Sequence, residues 1–266
     1  MYEGEANEGM RCIKELVEQF KTDMSFPVTY QVFDVRLKGE IATLGFDIFI
    51  SSGGPGSPLT SAGLEWEEKY FSLMDAIFQY NSKHQTQKKY VFLICHSMQI
   101  FCRYYGYAKV TKRKSTTFGV MPIYMTKEGR REILFSQLTD PFYAVDSRDY
   151  QVIEPNEAKI WSGGGNILCL EKNRPFVPLE RAVMAIRFND EIIGTQFHPE
   201  ADSDGMYRHF LSDDKKEMVV ERHGEKKYFN MMQMLNEPDK IKHTYRIVLP
   251  SFLMSVVQSR ANGVGI

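Results

Sequence analysis

The chain has 266 residues, of which 43% are hydrophobic and 25% are charged, and its formal net charge at pH 7 is −1. This length and composition suffice for one large globular domain with a sizeable core. The small net charge predicts neither a nucleic-acid-binding surface nor a surface for anionic membranes, and no apolar run approaches the roughly 20 residues that span a bilayer. Four cysteines without CxxC spacing favour a reducing cytoplasm.

The first half of the chain has alternating helical and strand-like patterns of apolar residues. The predicted elements are a helix over 10–20 that Asn7 caps, strands over 28–35 and 46–51, a helix over 64–80, a strand over 90–94 and a helix from residue 97. Strands that alternate with helices predict an α/β fold, with a mostly parallel open sheet and helices on both faces. The ligand crevice of such a sheet lies at the carboxyl ends of its strands.

The second half of the chain changes to strands and turns and then to helices. Strands are predicted over 118–126, 132–135, 142–145, 167–170, 182–188 and 191–197, as a partly antiparallel extension of the sheet. The basic cluster from Lys109 to Lys114 is typical of a solvated turn. Residues 206–266 are predicted to be a helical C-terminal extension, interrupted by Pro238 and Pro250, that packs on the domain formed by residues 1–205.

Cys95 lies where the apolar strand over 90–94 meets the following helical pattern. A thiol on such a turn is presented at the carboxyl edge of the sheet, beside the first N–H groups of the helix. Those N–H groups favour a thiolate and can bind an oxyanion. Because an isolated cysteine is more often a small core residue, the functional interpretation depends on other motifs.

Two distant segments supply those motifs. Gly53, Gly54 and Pro55 follow the strand over 46–51, and glycines there let a backbone N–H approach a ligand. The strand over 191–197 ends in His198 and, two positions later, Glu200. A cysteine nucleophile needs a base to take its proton and a third group to orient that base. Cys95, His198 and Glu200 supply this set.

Together the motifs resemble the class I glutamine amidotransferases, over roughly residues 1–205. The Gly-Gly-Pro loop, CxGxQ turn and HPE segment of that family read here as Gly53-Gly54-Pro55, Cys95-His96-Ser97-Met98-Gln99 and His198-Pro199-Glu200.

The resemblance implies a flavodoxin-like fold and an amidohydrolase. The Cys95 thiolate would attack the side-chain amide of glutamine or of a related γ-glutamyl amide, with His198 as general base and acid and Glu200 as its orienting group. The N–H groups of Gly54 and His96 would bind the oxyanion, and Gly53 and Gln99 would contact the substrate. No cofactor and no metal are expected, because His84, His209, His223 and His243 have no ligand-like spacing and are predicted to be structural or solvent-facing.

Three departures from the family pattern are visible. Ser97 replaces the third-position glycine of the nucleophile turn, which predicts a reshaped substrate pocket. The apolar strand that normally begins the family's fold is absent, since residues 1–6 are short and polar. Arg148 lies in the segment 146–149, where many members carry a histidine near the substrate.

Alternative functions follow from the same residues. In hydrolases of the PfpI type, a histidine directly after the cysteine is the catalytic partner, and His96 occupies that position. Homoserine acyltransferases also use a cysteine, histidine and glutamate, although no CoA pocket is evident here. A catalytically silent regulatory or binding module is the third alternative, and an intact Cys95, His198 and Glu200 argues against it.

A partner protein is also expected. Residues 206–266 are too few for an ATP-dependent synthetase domain, so any acceptor of ammonia is predicted to be a separate chain. The loop over 52–58 is rich in glycine and proline, and we expect it to be ordered by such a partner, with slow turnover in the isolated chain.

Overall fold

The computed structural model describes residues 1–2, 7–237 and 240–263. Within these ranges the strands are β1 (Ile48–Ser51), β2 (Tyr90–Ile94), β3 (Lys109–Met125), β4 (Phe142–Ile153), β5 (Asn166–Leu170), β6 (Val183–Arg187) and β7 (Ile192–Thr195). The helices are α1 (Glu8–Asp23), α2 (Glu65–Lys83), α3 (His96–Tyr105), α4 (Glu157–Ser162), α5 (Ser203–Leu211), α6 (Asp213–His223), α7 (Glu225–Asn236) and α8 (Ile241–Gly263). No helix in these ranges is long and apolar enough to cross a membrane.

One sheet contains these seven strands, in the order β1-β2-β7-β6-β5-β3-β4. β1, β2 and β7 are parallel to one another. From β7 onward each neighbouring pair is antiparallel. The α/β fold class with an antiparallel extension is therefore confirmed, but among the described strands the sheet is mixed rather than mostly parallel, since its parallel part consists of β1, β2 and β7.

β2 lies inside the sheet and is buried on both faces. Phe92 and Ile94 pack in one cluster with α1 and α8, whereas Val91 and Leu93 pack in another with α2 and α3. A continuous apolar run is typical of a strand between two helical layers. The two layers fix the carboxyl end of β2, where the sequence continues into Cys95.

The C-terminal helices contact the sheet in two places. α5, α6 and α7 share a buried cluster with β3 and β4, which includes Val120, Val145 and Met231. α8 lies against the parallel strands, where the rings of Phe252 and Phe92 have centroids 5.2 Å apart. The helix break predicted at Pro250 is wrong, because Pro250 lies inside α8 and packing on both sides of it holds the helix. The break predicted at Pro238 lies outside the described residues.

The strand predicted over 28–35 is wrong. These residues have no regular secondary structure. Residues 26–33 and β1 line the same apolar cavity, about 670 Å³ in volume, instead of pairing with each other. A strand-like sequence forms a strand only when a neighbour supplies its hydrogen bonds, and no described strand pairs with this segment or with the outer edge of β1.

Two further predictions are wrong for local reasons. The strand over 132–135 is a 3₁₀ turn, because the carboxylate of Glu132 accepts a hydrogen bond from the Leu134 N–H at 3.4 Å and also binds Arg187. The basic cluster at 109–114 is the start of β3 rather than a turn. Its Val110 is buried while the lysines around it are exposed, as expected of a strand with one solvated face.

Candidate active site

The carboxyl ends of the three parallel strands meet at one edge of the sheet. β1 leads into the loop over 52–58, β2 into Cys95 and β7 into residues 196–200. The Cys95 N–H donates a hydrogen bond to the Thr195 carbonyl at 2.7 Å, which continues the pairing of β2 with β7. This bond brings the residues after Thr195 alongside the turn at Cys95.

Cys95 has a strained backbone. Its φ of 49° and ψ of −102° are rare for a residue with a side chain. The strain arises because β2 ends at Ile94 and α3 begins at His96, so one residue makes the whole turn. Such an elbow presents its side chain at the helix N-terminus, where backbone N–H groups lack intrahelical partners.

His198 and Glu200 form a close pair beside this turn. Nδ1 of His198 lies 2.8 Å from Oε1 of Glu200, which is fully buried. The His198 N–H donates to the Val145 carbonyl at 2.8 Å, so β4 anchors the segment. A Cβ built on Gly53 would lie 2.9 Å from Cε1 of His198 and 3.5 Å from Cβ of Cys95, which places imidazole and thiol side by side under the glycine loop.

The electrostatics of the pair favour a charged imidazole. Burial lowers the pKa of His198, but the Glu200 carboxylate and the hydrogen-bonded Cys95 side chain outweigh burial and raise this pKa well above its usual value. With Glu200 on Nδ1, the ring presents Nε2 to other partners. This arrangement suits proton exchange with a thiol.

The glycine loop supplies a candidate oxyanion site. A Cβ on Gly54 would lie 2.6 Å from the carbonyl oxygen of Met1, so only glycine fits there. Within the described ranges, the N–H groups of Gly54 and His96 donate no hydrogen bond. Gly54, Cys95 and His96 line one pocket of about 320 Å³, in which free N–H groups can bind negative charge.

His96 is unsuited to act as a base. Its side chain is 1% exposed, and burial together with the nearby positive groups of Arg36, the chain N-terminus and Arg103 lowers its pKa to about 3. Its Nε2 makes no hydrogen bond to any described residue. The imidazole of His96 is therefore neutral and weakly basic, in contrast to that of His198.

Gln99 and Arg148 also line the pocket that holds Cys95. Nε2 of Gln99 donates to the Tyr150 carbonyl at 3.3 Å, so its amide bridges α3 and β4. Nε of Arg148 binds Oδ1 of Asp146 at 2.8 Å, and both side chains are almost fully buried. Although Arg148 lines the pocket, its charge is neutralised by this pair.

Two residues near the thiol are absent from the sequence prediction. Nε2 of Gln196, which is fully buried, donates to the Cys95 sulfur at 3.7 Å. Because Gln196 stands two positions before His198, strand periodicity could have placed both side chains on one face. The Tyr2 hydroxyl also reaches the site, since a Cβ on Gly9 would lie 2.9 Å from it and 3.1 Å from Oε1 of Glu200. No sequence signal links Tyr2 to the motifs.

The C-terminal extension forms part of the pocket wall. α6 contributes Met218, Val219, Arg222 and His223 to the pocket that holds Cys95. The ring of His223 stacks on Phe118 with centroids 4.8 Å apart and planes within 7°. The many charges of this region are typical of a solvated face, so this role has no signal in the sequence.

Comparison with protein families decides the assignment. Residues 13–218, more than half of the chain, match the model of the glutamine amidotransferase class-I family. The chain belongs to this family. A comparison with curated protein sequences gave no significant match.

Solved structures share the fold of the amidotransferase chain at low sequence identity. A glutamine amidotransferase from Thermotoga maritima is 16% identical, with a TM-score of 0.66 and 92% of each chain covered. One from Methylobacillus flagellatus is 15% identical, with a TM-score of 0.60 over 93% of this chain and 89% of that chain. The glutaminase domain of Trypanosoma brucei CTPS, solved with bound acivicin, is 15% identical, with a TM-score of 0.52 over 77% and 87%.

Proposed function

We propose that this amidotransferase-family chain hydrolyses the side-chain amide of glutamine, or of a related γ-glutamyl amide, through a thioester on Cys95. One observation carries the proposal. The strained elbow at Cys95 and the hydrogen-bonded pair of His198 and Glu200 meet under the glycine loop.

The acylation step begins from a thiolate and an imidazolium. The Cys95 sulfur attacks the amide carbon, a C–S bond forms, and the carbonyl electrons move to oxygen. The N–H groups of Gly54 and His96 receive this oxyanion. The His198 imidazolium gives its proton to the amide nitrogen, the C–N bond breaks and ammonia leaves.

The deacylation step uses the same residues. Neutral His198 takes a proton from water, whose oxygen attacks the thioester carbon. The C–S bond then breaks and releases glutamate, and the sulfur and imidazole return to their starting charges. Glu200 stabilises the imidazolium in both steps, and the amide of Gln196 donates to the sulfur.

The pocket supports a small substrate. Its volume of about 320 Å³ lies at the lower end of the range for small-molecule sites. Gly53 and Gln99 are proposed to contact the substrate, as the family resemblance implies. The bridge from Gln99 to Tyr150 holds the amide of Gln99 at the pocket wall.

The geometry gives the alternative functions less support. A PfpI-like mechanism needs a basic His96, and the lowered pKa of that residue opposes it. No described feature specifies an acyl-CoA site for an acyltransferase. A silent module would not need the strained backbone at Cys95 or the buried carboxylate at Glu200.

The fate of ammonia completes the proposal. The CTPS neighbour is a glutaminase domain by its own description. By analogy, we propose that ammonia from this chain is accepted by a separate synthetase protein.

The test is release of glutamate and ammonia from glutamine and from a set of γ-glutamyl amides. Wild-type protein is compared with Cys95→Ala and His198→Asn, and with Cys102→Ala as a control on a buried cysteine of α3. The proposal is supported if Cys95→Ala and His198→Asn abolish the activity and Cys102→Ala retains it. Activity that survives Cys95→Ala would refute it, as would the absence of release from every amide with wild-type protein.

A further inference from the structure

A chain of hydroxyl groups, on buried Tyr70 and Ser97 and half-buried Ser51, runs from α2 to the glycine loop. The Tyr70 hydroxyl donates to Oγ of Ser51 at 3.1 Å, and the Oγ atoms of Ser51 and Ser97 are 2.8 Å apart. Oγ of Ser97 donates to the carbonyl oxygen of Ser52 at 2.5 Å. Each hydroxyl therefore donates once, and the last bond ends on the first residue of the loop.

Ser97 is placed to link the nucleophile to this loop. It lies in the first turn of α3, two residues after Cys95, and its side chain is fully buried. Ser52 stands two residues before Gly54, whose N–H is a proposed oxyanion donor. A hydroxyl on α3 thus ties the turn that carries the sulfur to the loop that carries the donor.

The same loop has two further anchors within the chain. Arg36 donates to the Pro55 carbonyl at 2.6 Å, and Arg103, also on α3, donates to the Pro58 carbonyl. The loop over 52–58 is therefore held at its start, middle and end by side chains of this protein. These contacts lie within the chain, so they do not require the partner that the sequence analysis expects to order the loop.

We infer that Ser97 is a positioning residue, which fixes the Gly54 N–H relative to the Cys95 sulfur so that the oxyanion site is formed in the isolated chain. The inference rests on the proposed function for its catalytic consequence. Preorganised donors contribute to rate because they need no reorganisation when charge develops. A loop released from Ser97 would spend less time with its donor aimed at the oxyanion.

The test compares Ser97→Ala with Ser61→Ala. Ser61 is a matched control, because its hydroxyl is also buried but has no hydrogen-bond partner among the described residues. We expect Ser97→Ala to lower kcat for the amide substrate about 10- to 100-fold with KM within about twofold. Alkylation of Cys95 by iodoacetamide forms no oxyanion. Its rate in Ser97→Ala should therefore stay within about twofold of the wild-type rate. Ser61→Ala should match wild type in all three measurements.

Hydrogen exchange separates this inference from the proposed function. The amides of Gly53 and Gly54 should exchange faster in Ser97→Ala than in wild type or Ser61→Ala. If wild-type protein hydrolyses no amide, the proposed function fails and the exchange comparison alone decides the positioning role. Unchanged kcat and unchanged exchange would overturn the inference. The inference would also be overturned if Ser97→Ala lowered the rate of Cys95 alkylation as much as it lowered kcat. The substitution would then have disturbed the turn at Cys95 itself.

Discussion

The N–H of Cys95 is 2.7 Å from the carbonyl oxygen of Thr195, and this bond sets the geometry of the whole site. It fixes the turn at Cys95 to the end of β7, three residues before His198. Because the turn at Cys95 is strained, its conformation depends on contacts of this kind. The predictions below follow from the site that this pairing assembles.

Cys95 is expected to be the one thiol trapped by a glutamine-derived diazo-ketone. Cys95 lines the pocket and is 6% exposed, whereas the other three cysteines are fully buried. Burial raises the pKa of Cys12 to about 12, and it raises the pKa values of Cys102 and Cys169. Peptide mapping after labelling near neutral pH checks this. Labelling mainly at one of those three cysteines would contradict the proposal that Cys95 is the reactive thiol.

Glu200→Gln is expected to slow the enzyme by about 10²- to 10⁴-fold in kcat, as loss of an orienting carboxylate does in related triads. Burial lowers the pKa of His198 and Glu200 raises it, so without the carboxylate this pKa falls and a smaller fraction of the imidazole is protonated at a given pH. The pH profile of Cys95 alkylation measures this change. A profile identical to that of wild type would show that Glu200 does not control His198.

The raised pKa of His198 also predicts how stability depends on pH. The folded-state value lies above the ordinary 6.5, so the stabilisation from protonated His198 is fully present below about pH 6.5. It is lost as the pH rises through the folded-state pKa. The melting temperature of wild type minus that of His198→Gln should therefore shrink as the pH is raised above 6.5. A difference in melting temperature that grows with pH would contradict a raised pKa of His198 in the folded protein.

Gly9→Ala is expected to separate stability from activity. Alanine is favoured over glycine in a helix by about 1 kcal/mol. In this protein, however, the new methyl group would lie 2.9 Å from the Tyr2 hydroxyl and 3.1 Å from Oε1 of Glu200. We expect little change in melting temperature but lower kcat, with the exposed α1 variant Glu18→Ala as the control. Full activity in Gly9→Ala would show that a displaced Glu200 carboxylate does not lower kcat.

An apolar strand of about five or six residues appended before Met1 is expected to raise the melting temperature. Met1 lines the apolar cavity that also borders the outer edge of β1. A strand there could pair with β1 and bury apolar side chains on both faces. An appended segment of equal length with alternating lysine and proline is the control. Equal melting temperatures for the apolar and the control extensions would mean that the added strand does not bind in the cavity.

The placement of the candidate site residues was more predictable from the sequence than the elements around them. Cys95, His198 and Glu200 each follow an apolar strand, so the rule that ligands bind at the carboxyl ends of parallel strands places them together. The strand predicted over 28–35 is wrong because this segment, although strand-like in composition, has no strand to pair with in the described chain. The pocket wall formed by α6 depends on long-range packing of α5, α6 and α7 on β3 and β4, which has no local sequence signal.

The central claim is a γ-glutamyl thioester on Cys95, and rapid acid quenching of wild-type protein with glutamine or the best γ-glutamyl amide tests it most directly. Intact-protein and peptide mass spectrometry should detect one added γ-glutamyl group on the peptide that contains Cys95, and none in Cys95→Ala. Turnover of the amide without this adduct, or an adduct on any other residue, would contradict the account.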